Sequence, residues 1–200
     1  MKIFNPARVN SSERMNATEP SWLVPECIAG NHASIEMRVR QYEAGVFRLA
    51  YSVLGDEADA QEVTQETFIA ALRSLKNYQE RQSFKAWLYT IVLNQSRSHL
   101  RKRKFIERLK ATVGGIFQVE TQKQTTPEDR IVQSEREAAL WNELNKLDER
   151  HRTAVVLRYF HDLPVTEIAQ VMGTHEGTIH SRLHTARERL KDALQHLHGE

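Results

Sequence analysis

Apolar side chains recur every three to four residues through most of this chain, the spacing that gathers them on one side of an α-helix. Val46, Leu49, Ala50, Val53 and Leu54 form one such face. Phe68, Ala71, Leu72 and Leu75 form a second, and Phe84, Trp87, Leu88 and Ile91 a third. Gly55-Asp56 separates the first two, and the polar stretch 76–83 separates the last two. No segment shows the strict apolar–polar alternation of a half-buried strand. The pattern therefore predicts an all-α module from about Trp22 to Lys104. Ahead of it, residues 1–20 are rich in Asn, Ser and Glu without periodicity and read as a disordered leader. Ser21 is placed to cap a short helix that stops at Gly30-Asn31.

The pattern then breaks. Residues 111–128 hold paired glycines, several Thr and Gln and a proline, the composition of a flexible linker. Periodicity returns from Asp129, with Leu140, Leu144 and Leu147 on one face. Asp148 is a plausible N-cap for a helix over Glu149–Phe160. Val165, Ile168, Ala169 and Met172 stripe a two-turn helix, and Gly173 supplies the positive φ that ends it. Ile179, Leu183, Ala186 and Leu190 stripe a longer helix starting near His175 or Glu176. A short helix, a tight turn with glycine and a longer helix make a helix-turn-helix between Val165 and His184. The fold class is all-α: two small helical domains on a flexible tether, the second carrying the helix-turn-helix.

Charge gives these elements partners. The formal net charge of +2 over 200 residues says little, but the distribution is uneven. Asp56, Glu57, Asp59, Glu62 and Glu66 form an acidic block without a base, whereas seven bases lie between Arg97 and Lys110 against the single acid Glu107. Opposite blocks in one chain point to one basic and one polyanionic partner. With the second stripe of the helix-turn-helix facing inward, Thr178, His180, Ser181, His184 and Arg187 lie on the outer face, suited to phosphates and base edges. Arg150, Arg152, Arg158, Arg182 and Arg189 add cationic surface around them. The alternative is an αα-hairpin that packs on a protein partner. The spacing of His180 and His184 could also hold a metal, but no nearby Cys or carboxylate pair completes a site, so none is assigned.

In the first module, Tyr78, Phe84 and Trp87 adjoin the basic helix that bears Arg97 and Arg101. Aromatics beside cations suit single-stranded nucleic acid, where each stacked base is worth ~1–3 kcal/mol. Phe84, Trp87 and Leu88 could instead be core, and the acidic face could be an ordinary solvated one. The lone Cys27 excludes an internal disulfide and reads as a small buried apolar residue. The N-terminus has no signal-peptide core and charges interrupt every apolar stretch, so a cytoplasmic protein without membrane insertion is expected. Ser181 and His180 share one helix and cannot form a catalytic triad, so neither enzyme activity nor a cofactor is expected.

Two stretches resemble a known family. D-A-Q-E-V-T-Q-E-T-F (Asp59–Phe68), F-K-A-W-L (Phe84–Leu88), Asn94 and the basic tail are similar to the promoter-melting domain of bacterial RNA polymerase sigma factors, above all the short extracytoplasmic-function (ECF) group. Leu157–Leu190 resembles the second domain of that group, which binds the −35 promoter element. Together they cover roughly three-quarters of the chain, in the family's order.

The resemblance implies domains at 21–105 (region 2) and 129–197 (region 4), with a linker at 106–128 that threads the polymerase channels. It implies the β′ and β subunits of core RNA polymerase as partners, with Asp59, Glu62, Gln65 and Glu66 on the helix that grips the β′ clamp. It implies that Tyr78, Lys85, Asn94, Arg97 and Arg101 face the −10 element. His180, Ser181 and His184, with Thr178 and Arg187 beside them, would read the −35 duplex. Promoter DNA and an anti-sigma factor complete the expected partners.

Ser98 stands where the family often has Asp, and Ile35 and Arg38 where it usually has Phe and Leu. Pro164 and His175 replace the usual Ser/Thr helix caps, and Thr166 and Thr174 are expected to substitute with shifted boundaries. A stand-alone DNA-binding regulator and an interaction protein without a DNA role are the competing readings.

Overall fold

The computed structural model of the chain describes residues 23–79, 83–113 and 135–197, and every regular element among them is helical. The leader, the Ser21 cap, residues 114–128 of the expected linker and residues 129–134 at the start of the expected second domain lie outside the described residues. Helix α1 (Leu23–Ile28) precedes α2 (His32–Leu54), α3 (Glu57–Ser74) and the long α4 (Phe84–Val113). Then come α5 (Glu135–Lys146), α6 (Glu149–Val155), α7 (Val165–Met172) and α8 (Glu176–Leu197). Among the described residues no helix is long and apolar enough to cross a membrane.

Polar side chains set the helix starts. Asn31 Oδ1 accepts from the backbone N–H of Ala33 at 3.1 Å and Ser34 at 3.3 Å, so the residue expected to stop α1 also opens α2. Replacing Asn31 with Ala should cost about 1 kcal/mol, read as a lower midpoint in chemical denaturation. Asp56 caps α3 through the Asp59 N–H at 2.9 Å.

α2, α3 and α4 then close around Val46, Leu49, Ala50, Ala71, Leu75, Phe84 and Leu88, all buried as their periodicity required, and around Val63 and Val92, which lay outside the predicted faces. Leu72 is the exception: α3 turns Ala71 and Leu75 inward and leaves Leu72 44% exposed. Arg38, at a position the resemblance makes apolar, is buried with its guanidinium 4.5 Å from the centre of the Phe84 ring. A weakly hydrated guanidinium over an aromatic face is how a cation is held there. The expected domain boundary at residue 105 falls inside α4, which stays helical to Val113.

The second domain is built on Leu144, Val156, Leu157, Ile168, Ile179 and Ala186. Asp148 caps α6 by accepting from Arg150 and His151 N–H. The predicted continuous helix to Phe160 instead widens into a π turn over Val156–Phe160. Gly173 ends α7 at φ 62°. Its N–H bonds the Gln170 carbonyl and the Thr174 N–H bonds the Ala169 carbonyl, a Schellman closure.

The expected boundary shifts do not occur. α7 starts directly after Pro164, which offers no side-chain cap, and α8 starts at Glu176 with the His175 carbonyl accepting from Thr178 and Ile179. Thr166 lies inside α7, and Thr174 closes α7.

The two helical units are not merely tethered; they pack on each other, α4 against α7 and α2 against α6. His161 sits at the centre of the seam. Its Nδ1 lies 3.0 Å from the Tyr89 hydroxyl, and its carbonyl accepts from Lys85 Nζ at 2.6 Å. Gly45 makes this approach possible, since a Cβ there would lie 2.6 Å from the Tyr89 oxygen. Ser83 Oγ donates to Glu167 at 3.0 Å, and the Arg152 guanidinium donates to the Ser52 carbonyl. Burial pushes the His161 imidazole well below its usual range, and the cations of Lys85 and Arg48 push the same way.

Candidate nucleic-acid and polymerase interface

α8 presents the expected reading face. Ile179, Leu183 and Ala186 are buried against the domain, so His180, Ser181, His184 and Arg187 emerge on the opposite side and are exposed. Thr178 is half-buried one turn earlier. This polar face lies on the first three turns of the second helix, where a helix-turn-helix meets base edges. Arg187 Nε bonds back to the Leu183 carbonyl at 3.2 Å, which fixes the start of its side chain along the helix.

The acidic face is formed by α3. Glu62 and Gln65 are exposed and Glu66 half-buried, while Ala60, Val63 and Thr67 turn into the core. Asp59 differs from its neighbours: its carboxylate takes His99 Nε2 at 3.0 Å and Arg103 Nη1 at 2.9 Å, tying α3 to α4. Asp59, Glu62 and His99 bring their donor atoms within 4.8 Å of one another, and Arg103 provides the balancing cation. Sequence reading missed His99, because only the packing of two helices brings it to the acidic block.

The residues expected to face the −10 element are divided. Tyr78 is half-buried in an aromatic cluster, with its ring centre 5.7 Å from that of Phe84 and 5.2 Å from that of Trp87. Asn94 and Arg101 are exposed on α4. Lys85 and Arg97 are turned to the second domain: Lys85 to the His161 carbonyl and Arg97 to Glu149 at 3.7 Å. The seam residues Gly45, Tyr89 and His161 were not singled out by the sequence, since no local spacing marks a contact 72 residues apart.

Comparison with known proteins agrees with this anatomy. The Sigma-70 region 2 family matches residues 38–106, and the Sigma-70 region 4 family matches residues 137–190. The chain is 30% identical over 161 residues to the ECF RNA polymerase sigma factor SigW of Bacillus subtilis, spanning 78% of this chain and 86% of SigW. It is 32% identical over 180 residues to the RNA polymerase sigma-H factor of Pseudomonas aeruginosa, spanning 88% of this chain and 93% of that one. Its fold matches the sigma factor RpoE solved with the anti-sigma factor NepR from Bartonella quintana, at a TM-score of 0.66 and 24% identity over 80% of this chain and 96% of that chain. With both sigma regions present in order and a full-length relative at this identity, the chain belongs to the extracytoplasmic-function group of bacterial RNA polymerase sigma factors.

Proposed function

We propose that the chain divides promoter-specific transcription initiation between its two domains, as a non-catalytic subunit of RNA polymerase acting in the cytoplasm. The observation that carries this reading is the succession of two sigma regions whose exposed faces differ in charge and chemistry. We take 21–105 and 129–197 as the core of the two functional units, with the α4 extension to Val113 leading into the linker. Glu62, Gln65 and Glu66 present the docking face for the β′ subunit, with Asp59 bracing it through His99 and Arg103. The β subunit is assigned as the second core contact.

Thr178, His180, Ser181, His184 and Arg187 address the −35 duplex. Short hydroxyls and imidazoles discriminate bases by hydrogen bonds, and Arg187 adds a phosphate or guanine contact. Tyr78, Lys85, Asn94, Arg97 and Arg101 address the −10 element. For Lys85 and Arg97 this requires release from the second domain, so the packed arrangement is the resting one and promoter engagement opens it. Exposed Ile69, Leu72, Phe105, Ile106 and Leu109 form apolar surface on α3 and α4 that suits a protein partner such as an anti-sigma factor.

Two substitutions separate reading from anchoring. His184→Ala should relax base preference at one −35 position, losing ~1–3 kcal/mol of discrimination in a randomised-site selection with holoenzyme. Arg101→Ala should weaken promoter binding uniformly across sequences and lower the slope of log affinity against log salt by about 1. A −35 preference unchanged in the His184 variant removes that residue from the reading face.

A further inference from the structure

An open cleft of about 490 Å³ lies along the seam between the domains, on the side of α4 that carries the basic run. Arg97, Arg101 and Lys104 reach it from the first domain, and Arg150 and Arg182 from the second. The single carboxylate among them is Glu149, which engages Arg97 at 3.7 Å. Among the described residues no acid pairs with Arg101, Lys104, Arg150 or Arg182. Packing two domains so that four unpaired cations share one cleft is unfavourable in itself, because like charges at short range repel. A multivalent anion reverses the sign: it neutralises both sides together and binds only when both sides are present.

We propose that this cleft is a binding site for a small oligophosphate, formed only while the two domains are packed together. The chemistry selects the class. Guanidinium groups hold phosphate oxygens by paired, charge-assisted hydrogen bonds, and three of the four unpaired cations are arginines. The volume lies in the ~300–1,000 Å³ range of small-ligand sites. Occupancy ties α4 to α6 and α8 and occupies Arg97 and Arg101, so it opposes promoter binding. That competition rests on the promoter reading above; the binding itself does not.

The test is isothermal titration of the full-length chain with inorganic tripolyphosphate, with orthophosphate as a second ligand. The expected result is one saturable site per chain, weakened by salt, with orthophosphate binding at least about 10-fold more weakly because it cannot span both walls. Arg101→Glu and Arg182→Glu, one from each domain, should each reduce tripolyphosphate affinity by about 10-fold or more. Lys102→Glu, the same charge change outside the cleft, should alter it by less than about 3-fold. Equal losses in all three variants, or several equivalent sites, would mean diffuse attraction to a basic surface and overturn the proposal. A variant with altered far-UV circular dichroism is replaced by its alanine counterpart, for which the same ranking is required. Promoter binding by the wild-type chain without tripolyphosphate is measured in parallel, so a missing anion site and a failed promoter reading give different outcomes.

Discussion

Reversing Glu62 and Glu66 together to lysine should weaken binding to core RNA polymerase by at least about 100-fold, a loss of about 2.7 kcal/mol. Both carboxylates stand on the outer side of α3 while Val63 and Thr67 hold the inner side, so reversal changes the partner surface and leaves the bundle core untouched. Placing like charges against a basic partner costs several kcal/mol in a desolvated interface, and two reversals act on the same contact. Asp59 is a poorer target. Its carboxylate joins α3 to His99 and Arg103 on α4, so a change there confounds docking with folding. Affinity of the double variant for core polymerase is the readout, with helical content and binding to an isolated −35 duplex as controls. Both controls should be retained. A double variant that binds core polymerase normally removes α3 from the docking face and favours a stand-alone DNA-binding regulator.

Acidification should loosen the packing between the two domains, and His161 should carry the effect. In the packed state the imidazole is fully enclosed, bonded to Tyr89 and faced by the cations of Lys85 on α4 and Arg48 on α2. Its pKa is therefore depressed relative to an open state in which water reaches the ring. A depressed histidine contributes fully above the ordinary value near 6.5, and its contribution falls as pH drops toward the packed-state value. The loss approaches about 1.4 kcal/mol per pH unit in that window. Small-angle scattering between pH 8 and 5 should show the radius of gyration rising as the domains part.

His161→Gln keeps a polar side chain but cannot gain a proton, so its packing should respond far less. His99 and His151 also face carboxylates and remain in both proteins, so the difference between wild type and variant isolates His161. An identical pH response in the two proteins contradicts the assignment.

What was readable in the sequence follows the range of the forces involved. The helix-turn-helix was legible because Gly173 and two apolar stripes are local signals, and the structure places that turn and both buried faces where the spacing puts them. The core of α2 was equally plain, with all five residues of its predicted face buried. Capping was misjudged where the backbone did the work: Pro164 sets φ at −67° directly before α7, so Thr166 did not shift that start, and the His175 carbonyl opens α8 without Thr174. The length of α4 was not legible: the first module was read to the basic run, whereas the helix itself continues to Val113 over residues that still favour helix.

The least legible feature was the seam. Gly45, Tyr89 and His161 are unremarkable in their own segments, and their meaning arises only when α2, α4 and the π turn after α6 converge. For the same reason the outward faces of α3 and α8 could be placed from periodicity, whereas the engagement of Lys85 and Arg97 with the second domain could not.

The most direct test of the central reading is in vitro transcription with purified core RNA polymerase, this chain and a pool of genomic promoter fragments, followed by sequencing of the transcript 5′ ends. Transcripts should appear only with the chain present and start from a subset of fragments sharing one −35 and one −10 element. Loss of core polymerase binding in the Glu62/Glu66 double variant should abolish them. Transcription no different from core polymerase alone, with the chain bound to promoter fragments weakly and with little dependence on salt, would contradict it.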